Sequence, residues 1–282
     1  MVTFIESPRE GMQGVDHLIP TEAKIRFINA LLQTGFHTVE LGSIVNPKIV
    51  PQMADTLEVI RYLDLSDTKS ERMVLVMSST GAERVAPVEE ISILAYPFSF
   101  CPSFLMNNVR ATVNQALNTT GEVANLCIKS GKKAVIYISY AFGNPYGDPW
   151  SIDLLLKWVR ILKKMGIRAI PLSNVSLEIS PSLIEQVFTA LTREFPDMEF
   201  GLHLHTNRKD YYAKIDAAYK AGCRRFDTVI NGQGGCPVSG QEMMGNLATQ
   251  NLVSFLQQKG IPDGLDPDAL HRSVMIANEI YR

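Results

Sequence analysis

Cysteines and long hydrophobic runs are both scarce in this sequence. Its four cysteines lie far apart and form no Cys-x-x-Cys pair, which excludes a disulfide-dense scaffold and predicts a reducing, cytoplasmic compartment. Glu6 places a charge before the apolar core of a signal peptide could form, so we expect no export signal. The longest uncharged stretch, 91–109, contains two prolines and two asparagines. Their polar groups would lack partners in lipid, so the stretch predicts a buried strand followed by a functional loop.

Charge of one sign is not in excess either. The 27 basic and 29 acidic side chains give a formal net charge of -2, which argues against a nucleic-acid partner or an acidic membrane surface. Apolar residues make up 46% of the 282 positions and charged residues 20%, so the chain can bury a large core. No internal repeat, low-complexity tract or linker interrupts it, and we expect one domain over 1–282.

Short apolar runs alternate along the chain with amphipathic stretches of helical length. The predicted strands cover 2–5, 38–41, 73–78, 90–96, 133–139, 169–172, 199–203 and 225–230. The predicted helices cover 21–34, 51–62, 81–85, 110–129, 149–164, 181–195, 209–221 and 240–259, with an additional C-terminal helix over 266–282. Eight βα units with short connections favour an α/β fold of the (β/α)8 TIM-barrel type over an open doubly wound sheet.

His203 and His205 stand two positions apart in the seventh predicted strand. Because successive strand side chains alternate between faces, both imidazoles point the same way and Leu204 points the other way. This arrangement suits one metal ion held by two imidazole nitrogens. A polar strand face packed against a loop is the alternative interpretation.

Catalytic groups of a (β/α)8 barrel gather where the strands end. After the first strand, Arg9 offers a guanidinium for an anion, Glu10 a hard oxygen ligand and Gln13 an amide. A surface Arg–Glu pair of little energetic value is the alternative. Glu40 is a carboxylate inside the second, apolar strand, where it needs a partner. If Glu40 faces the barrel mouth, Arg9 is the partner that we expect.

The segment after the eighth strand is rich in glycine. Gly232, Gly234 and Gly235 predict a loop that can bring Cys236 over the barrel mouth, and Asn246 near the next predicted helix can offer an oxygen to a metal. The loop could instead hold a phosphate on its backbone amides. Its spacing matches neither the P-loop nor the dinucleotide-binding motif, which disfavours a nucleotide.

Taken together, these segments resemble the 3-hydroxy-3-methylglutaryl-CoA lyase family of metal-dependent TIM-barrel lyases and aldolases. The resemblance runs through nearly the whole chain, and its most specific stretches are 7–13, 46–55, 203–205, 234–237 and 245–249. It implies a divalent ion, Mg²⁺ or Mn²⁺, held by Glu10, His203, His205 and Asn246. It also implies catalytic roles for Arg9, Glu40 and Cys236, and substrate contacts from Gln13, Ser43, Asn107 and Asn174. An acyl-CoA substrate and a homodimer follow from the same resemblance.

The sequence departs from the family pattern at two positions. Glu10 replaces the usual aspartate, which places the carboxylate one methylene farther from the backbone. Asn174 stands where the family usually has an acid, which removes a group that could accept a proton. If Asn174 lies beside the metal, turnover is expected to be slow and Asn174→Asp to raise it, whereas Glu10→Asp is expected to preserve or improve metal affinity.

The resemblance implies cleavage of a carbon–carbon bond in a 3-hydroxyacyl-CoA, with 3-hydroxy-3-methylglutaryl-CoA giving acetyl-CoA and acetoacetate. Two alternatives stay open. A condensing enzyme of the same superfamily usually carries a C-terminal regulatory domain, for which we expect no room after residue 282. A non-catalytic or altered-substrate paralogue would explain the two departures at Glu10 and Asn174.

Overall fold

Eight parallel strands close into a barrel in the computed structural model, which describes residues 1–175, 177–206, 210–235 and 244–282. The strands are β1 Thr3–Glu6, β2 Thr38–Ile44, β3 Glu71–Val76, β4 Ile93–Phe98, β5 Lys133–Ser139, β6 Ala169–Ser173, β7 Glu199–His203 and β8 Arg225–Thr228. Each strand pairs with its neighbours in sequence, and β8 pairs with β1 to close the barrel. The predicted (β/α)8 architecture is therefore confirmed.

Helices follow the strands and cover the outside of the barrel. They are α1 Pro8–Gln13, α2 Thr21–Leu32, α3 Thr56–Arg61, α4 Ser79–Val85, α5 Pro102–Val109, α6 Val113–Ser130, α7 Ile152–Lys164, α8 Pro181–Glu194, α9 Tyr211–Lys220, α10 Thr249–Gln258 and α11 Pro267–Ile280. The additional C-terminal helix is α11. None of the helices in the described part of the chain is both long and apolar enough to cross a membrane.

Local chemistry sets where these helices begin and end. In α6, the Thr112 hydroxyl accepts a hydrogen bond from the Gln115 backbone N–H while the Gln115 side chain accepts one from the Thr112 backbone N–H. This reciprocal capping satisfies two backbone donors at the helix start. Gly131 ends the helix with a φ of 66°, a left-handed conformation that glycine adopts without steric strain.

Two segments predicted to be loops are helical. Residues 8–13 form α1, which begins with Pro8 at a position where its missing N–H is not needed. The functional loop predicted after β4 is helix α5, so Asn107 and its neighbour Asn108 lie on a helix. Both helices have fewer than nine residues, which is too short for hydrophobic periodicity to distinguish them from a loop.

Other helix boundaries also differ from the predicted ones. The helix predicted over 51–62 is a 3-10 turn at Pro51–Met53 followed by α3. The helix predicted over 240–259 includes 240–243, which lie outside the described residues, and within the remainder α10 begins only at Thr249. Within residues 244–248, Asn246 forms a β-bridge with His205, just after β7, and Ala248 forms one with Val229, just after β8.

Candidate active site

The short helix α1 carries three of the predicted site residues directly above β1. Arg9 and Gln13 are one helical turn apart, and Arg9 Nη1 donates to Gln13 Oε1 at 2.8 Å. The helix is closely packed at two glycines. A Cβ at Gly11 would lie 2.3 Å from the Tyr281 hydroxyl oxygen, and a Cβ at Gly14 would lie 2.4 Å from Gly234 Cα. The helix therefore presents Arg9 and Glu10 from a fixed support.

Arg9 is the centre of a buried ion-pair cluster. Its Nη2 lies 2.9 and 3.1 Å from the two Glu40 oxygens and 3.0 Å from Glu10 Oε1. The expected pairing of Arg9 with Glu40 is thus present. Burial raises the pKa of Glu40, and the Arg9 charge opposes that shift. The two Nη atoms donate to three side chains, Gln13, Glu10 and Glu40, and these hydrogen bonds orient the guanidinium without a ligand.

The two histidines lie side by side, as the two-residue spacing predicts. His203 ends β7, His205 follows in a bridge with Asn246, and their ring centroids are 4.9 Å apart. Leu204 is buried in the hydrophobic core on the other face. Ligand atoms of Glu10, His203 and His205 all lie within 4.8 Å of one another. One carboxylate and two imidazoles therefore converge on one point.

The pKa shifts of the three residues in this cluster show that its charges favour a cation. Burial would lower the pKa of His203, but the Glu10 charge and the hydrogen bonds that His203 donates to Asp227 and Glu10 raise it to about 10. Burial and the neighbouring His203 charge lower the pKa of His205 to about 4. Burial would raise the pKa of Glu10, yet His203 and Arg9 hold it well below its usual range. The negative charge of Glu10 beside the two imidazoles thus favours a cation at this point.

The residues present fit a divalent ion. Among the described residues, Glu10 Oε2 and His205 Nδ1 are buried without a hydrogen-bond partner, a costly state unless a ligand satisfies them. Asn246 donates its Nδ2 to the Gln233 carbonyl at 2.8 Å, so its Oδ1 is the atom left to ligate. A set of imidazoles, a carboxylate and an amide oxygen is typical of first-row divalent ions and of Mg²⁺.

Asn174 is engaged by the backbone. It is fully buried, its Nδ2 donates to the carbonyls of Leu177 at 2.6 Å and His205 at 2.9 Å, and its Oδ1 accepts from the His205 N–H at 2.8 Å. The side chain thereby ties the segment after β6 to the segment that carries His205. A substrate contact would have to replace one of these hydrogen bonds.

The remaining predicted residues differ in their surroundings. Ser43 ends near the mouth on β2, and its Oγ is buried with no hydrogen-bond partner in the described parts of the chain. Asn107 is exposed on α5, where no described hydrogen bond orients it. Cys236 lies outside the described residues, so its predicted position over the mouth stays a prediction.

Sequence reasoning missed two buried acids. Asp227 on β8 stands beside His203 in the sheet register, and its Oδ2 is 3.0 Å from His203 Nδ1. Glu6 at the end of β1 accepts hydrogen bonds from Thr228, Thr249 and the Ile230 N–H. Burial, only partly offset by these bonds, raises the pKa of Glu6 to about 7. Glu6 follows an apolar run in β1, so the signal that pointed to Glu40 was present there, whereas Asp227 lies between Arg225 and Thr228 in a strand that is mostly polar.

Comparisons with known proteins show the family. The model of the HMGL-like family matches residues 2–276. Hydroxymethylglutaryl-CoA lyase of Bacillus subtilis is 29% identical over 90% of this chain and 84% of its own length. (R)-citramalyl-CoA lyase of Chloroflexus aurantiacus is 27% identical over 95% of this chain and 87% of its own.

The solved structures give the same result at the level of the fold. An HMG-CoA lyase from Acinetobacter baumannii, in complex with coenzyme A and 3-methylmalate, superposes with a TM-score of 0.90. It is 27% identical and the match covers 100% of this chain and 91% of that one. The family model spans nearly the whole sequence, including every predicted site residue. The chain therefore belongs to the HMGL-like family and is a carbon–carbon lyase.

Proposed function

We propose that the chain cleaves the carbon–carbon bond of a 3-hydroxyacyl-CoA, with 3-hydroxy-3-methylglutaryl-CoA as substrate and acetyl-CoA and acetoacetate as products. The observation that carries this proposal is the convergence of Glu10, His203 and His205 beside the guanidinium of Arg9. The cleavage needs a proton removed from the 3-hydroxyl and negative charge stabilised on the thioester. The metal ligands of the cluster would hold an ion that acidifies the hydroxyl, so that a base can take its proton, and Arg9 would stabilise the negative charge.

Glu10, His203, His205 and Asn246 would hold a divalent ion, Mg²⁺ or Mn²⁺. When bound, such an ion supplies Lewis acidity that lowers the pKa of an alcohol in contact with it. The lowered pKa of His205 keeps its imidazole neutral at physiological pH, which is the form that ligates. Glu10 has one oxygen on Arg9 and the other unpartnered among the described residues, so it can ligate without losing its ion pair.

Arg9 would stabilise the enolate that develops on the thioester carbonyl. Its cation is already oriented by Glu40, Glu10 and Gln13, so little reorganisation is needed when the charge appears. Stabilisation of this kind acts mainly in the transition state, and loss of one such donor typically lowers kcat about 10²–10³-fold. Glu40 would hold Arg9, and Ser43 offers a hydroxyl that has no hydrogen-bond partner among the described residues.

Cys236 would help to transfer the proton to the leaving carbon, as the family resemblance implies. Asn107 would contact the acyl-CoA from α5. The homodimer and the cytoplasmic location also remain predictions. A citramalyl-CoA thioester is the second candidate substrate, because a (R)-citramalyl-CoA lyase matches 95% of this chain, the same share as one of the hydroxymethylglutaryl-CoA lyases.

The deciding experiment measures acetyl-CoA release from both thioesters by protein stripped with chelator and then supplied with Mg²⁺ or Mn²⁺. We expect metal-dependent release, faster from 3-hydroxy-3-methylglutaryl-CoA. Arg9→Lys should lower kcat about 10²–10³-fold, whereas the exposed Arg26→Lys, whose ion pair with Glu279 lies on the surface, should not. Release that is insensitive to chelator, or a protein that binds Mn²⁺ and cleaves neither thioester, would rule the proposal out.

A further inference from the structure

A column of charged side chains runs inside the barrel, starting at His203 and leading away from the metal-binding cluster. Asp227 Oδ2 is 3.0 Å from His203 Nδ1, and Asp227 Oδ1 is 3.8 Å from Arg225 Nε. Arg225 Nη1 continues to Glu199 Oε2 at 3.2 Å. Asp227 and Arg225 are each only 3% exposed. Barrel interiors are normally filled by branched apolar residues, so two buried charges at this position need a reason.

The contact between Asp227 and His203 determines which imidazole nitrogen carries a proton. An ionised carboxylate can only accept hydrogen bonds, so Nδ1 of His203 must be the donor. The other nitrogen, Nε2, lies 3.4 Å from Glu10 Oε1, on the side of the proposed metal site. A histidine can ligate only through an unprotonated nitrogen. Asp227 therefore selects the nitrogen that faces Glu10 as the ligand atom.

Arg225 lies on the other side of the Asp227 carboxylate, at an ion-pair distance of 3.8 Å that is too long for a hydrogen bond. One oxygen of Asp227 faces the imidazole and the other faces the guanidinium, so rotation of the carboxylate would break the hydrogen bond to His203 and weaken the attraction to Arg225. The barrel makes room for this arrangement at Gly201, where a Cβ would lie 2.8 Å from Arg225 Cδ. The Tyr137 ring packs edge-on against His203 at 5.5 Å and completes its support.

We propose that Asp227, oriented by Arg225, is a positioning residue that holds His203 as the Nδ1-protonated tautomer and aims its Nε2 at the metal. This inference rests on the metal site of the proposed function. Nothing in it requires Asp227 to touch the ion or the substrate. Partners of this kind, which hydrogen-bond a ligating histidine, typically change metal affinity about 10–100-fold.

The geometry makes an unusual prediction for the isosteric variant Asp227→Asn. The new amide would turn its oxygen to the Arg225 cation and its NH₂ group to His203 Nδ1. That nitrogen would then accept a hydrogen bond, which places the proton on Nε2 and blocks ligation. Asp227→Ala removes the partner but leaves the ring free to bind in either tautomer. Asn should therefore weaken metal binding more than Ala, the reverse of what loss of packing alone would produce.

The test is calorimetric titration of substrate-free protein with Mn²⁺, with thermal unfolding as a check on folding. We expect Asp227→Asn to weaken binding about 10–100-fold and Asp227→Ala to weaken it less. In a His203→Asn background, Asp227→Asn should cause little further loss, because its effect passes through His203. His205→Asn, at the neighbouring ligand, is the matched control. In that background the fold-losses of Mn²⁺ affinity caused by Asp227→Asn and by His205→Asn should multiply.

Three results would overturn the inference. They are an unchanged Mn²⁺ affinity in Asp227→Asn, a larger loss of affinity in Asp227→Ala than in Asp227→Asn, and losses that multiply equally in both histidine backgrounds. If Asp227→Asn does not fold, Asp227→Ala is combined with His203→Asn and with His205→Asn instead. A further loss of Mn²⁺ affinity only in the His205→Asn background shows that Asp227 acts through His203, and an equal loss in both shows a general structural effect. Native protein that binds no Mn²⁺ would overturn the proposed function together with this inference. Native binding that Asp227→Asn leaves intact would overturn the inference alone.

Discussion

Replacement of Asn174 by aspartate is the most informative perturbation, because the sequence and the structure predict opposite results. From the family pattern, Asn174→Asp restores an acid and should raise turnover. In the structure, the Asn174 amide donates to the carbonyls of Leu177 and His205 and accepts from the His205 N–H. An ionised aspartate can accept but not donate. We therefore expect Asn174→Asp to destabilise the protein and weaken metal binding through His205.

The loss of stability in Asn174→Asp can be estimated from the hydrogen bonds that the substitution removes. The carboxylate would face two carbonyl oxygens at a fully buried position, and each unsatisfied buried group costs about 1–3 kcal/mol. Protonation of the aspartic acid would recover one donor, so we expect a net loss of about 2–4 kcal/mol. For a protein of this size that corresponds to a fall in Tm of roughly 5–15 °C.

The loss of stability in Asn174→Asp should become larger as pH rises. Burial against two carbonyl oxygens raises the pKa of the new acid above its value in the unfolded chain. A group with a raised folded pKa contributes stability that is present at low pH and is lost as pH rises through the folded pKa. Asn174→Asp should therefore lose more stability relative to the native protein at about pH 8 than at about pH 5.

The assay combines thermal unfolding at those two pH values with Mn²⁺ titration and kcat for 3-hydroxy-3-methylglutaryl-CoA. Asn118→Asp, the same substitution at an exposed position of α6, is the matched control and should leave all three unchanged. An Asn174→Asp protein with the native Tm and a higher kcat would refute this reasoning and support the acid role that the family pattern suggests.

Two further predictions concern Glu10 and Glu6. Tyr281 and Gly234 leave no room for a side chain at Gly11 and Gly14, so a shift of α1 that brings a shorter carboxylate back to the ion would be resisted by close packing. Glu10→Asp should therefore weaken Mn²⁺ binding about tenfold or more, which calorimetry would measure as at least about 1.4 kcal/mol. Equal or tighter binding would instead support the sequence-based expectation. Burial raises the pKa of Glu6 from 4.5 to about 7, so the native protein should lose on the order of 3 kcal/mol from this group as pH rises across that interval. Glu6→Gln should remove this part of the pH dependence in denaturant unfolding, and an identical slope in both proteins would contradict it.

Much of this protein could be predicted from the sequence because the relevant patterns are local. The alternation of apolar strands with amphipathic helices predicts eight βα units, and the two-residue spacing of His203 and His205 places both rings on one face of β7. A carboxylate in an apolar strand at Glu40 requires a cation, and Arg9 is that cation. Each of these inferences depends on side-chain period or on the cost of an unpaired buried charge.

The tertiary structure decided the rest, because closure of the barrel determines which distant side chains meet. The register of β7 with β8 places Asp227 beside His203, and no local pattern specifies that pairing. Asn174 has the composition of a site residue, yet its amide satisfies backbone groups more than thirty positions along the chain. The sequence alone thus determined the fold type and brought Glu10, His203 and His205 forward as candidate ligands. Long-range hydrogen bonding decided how Asn174 and Asp227 are placed around them.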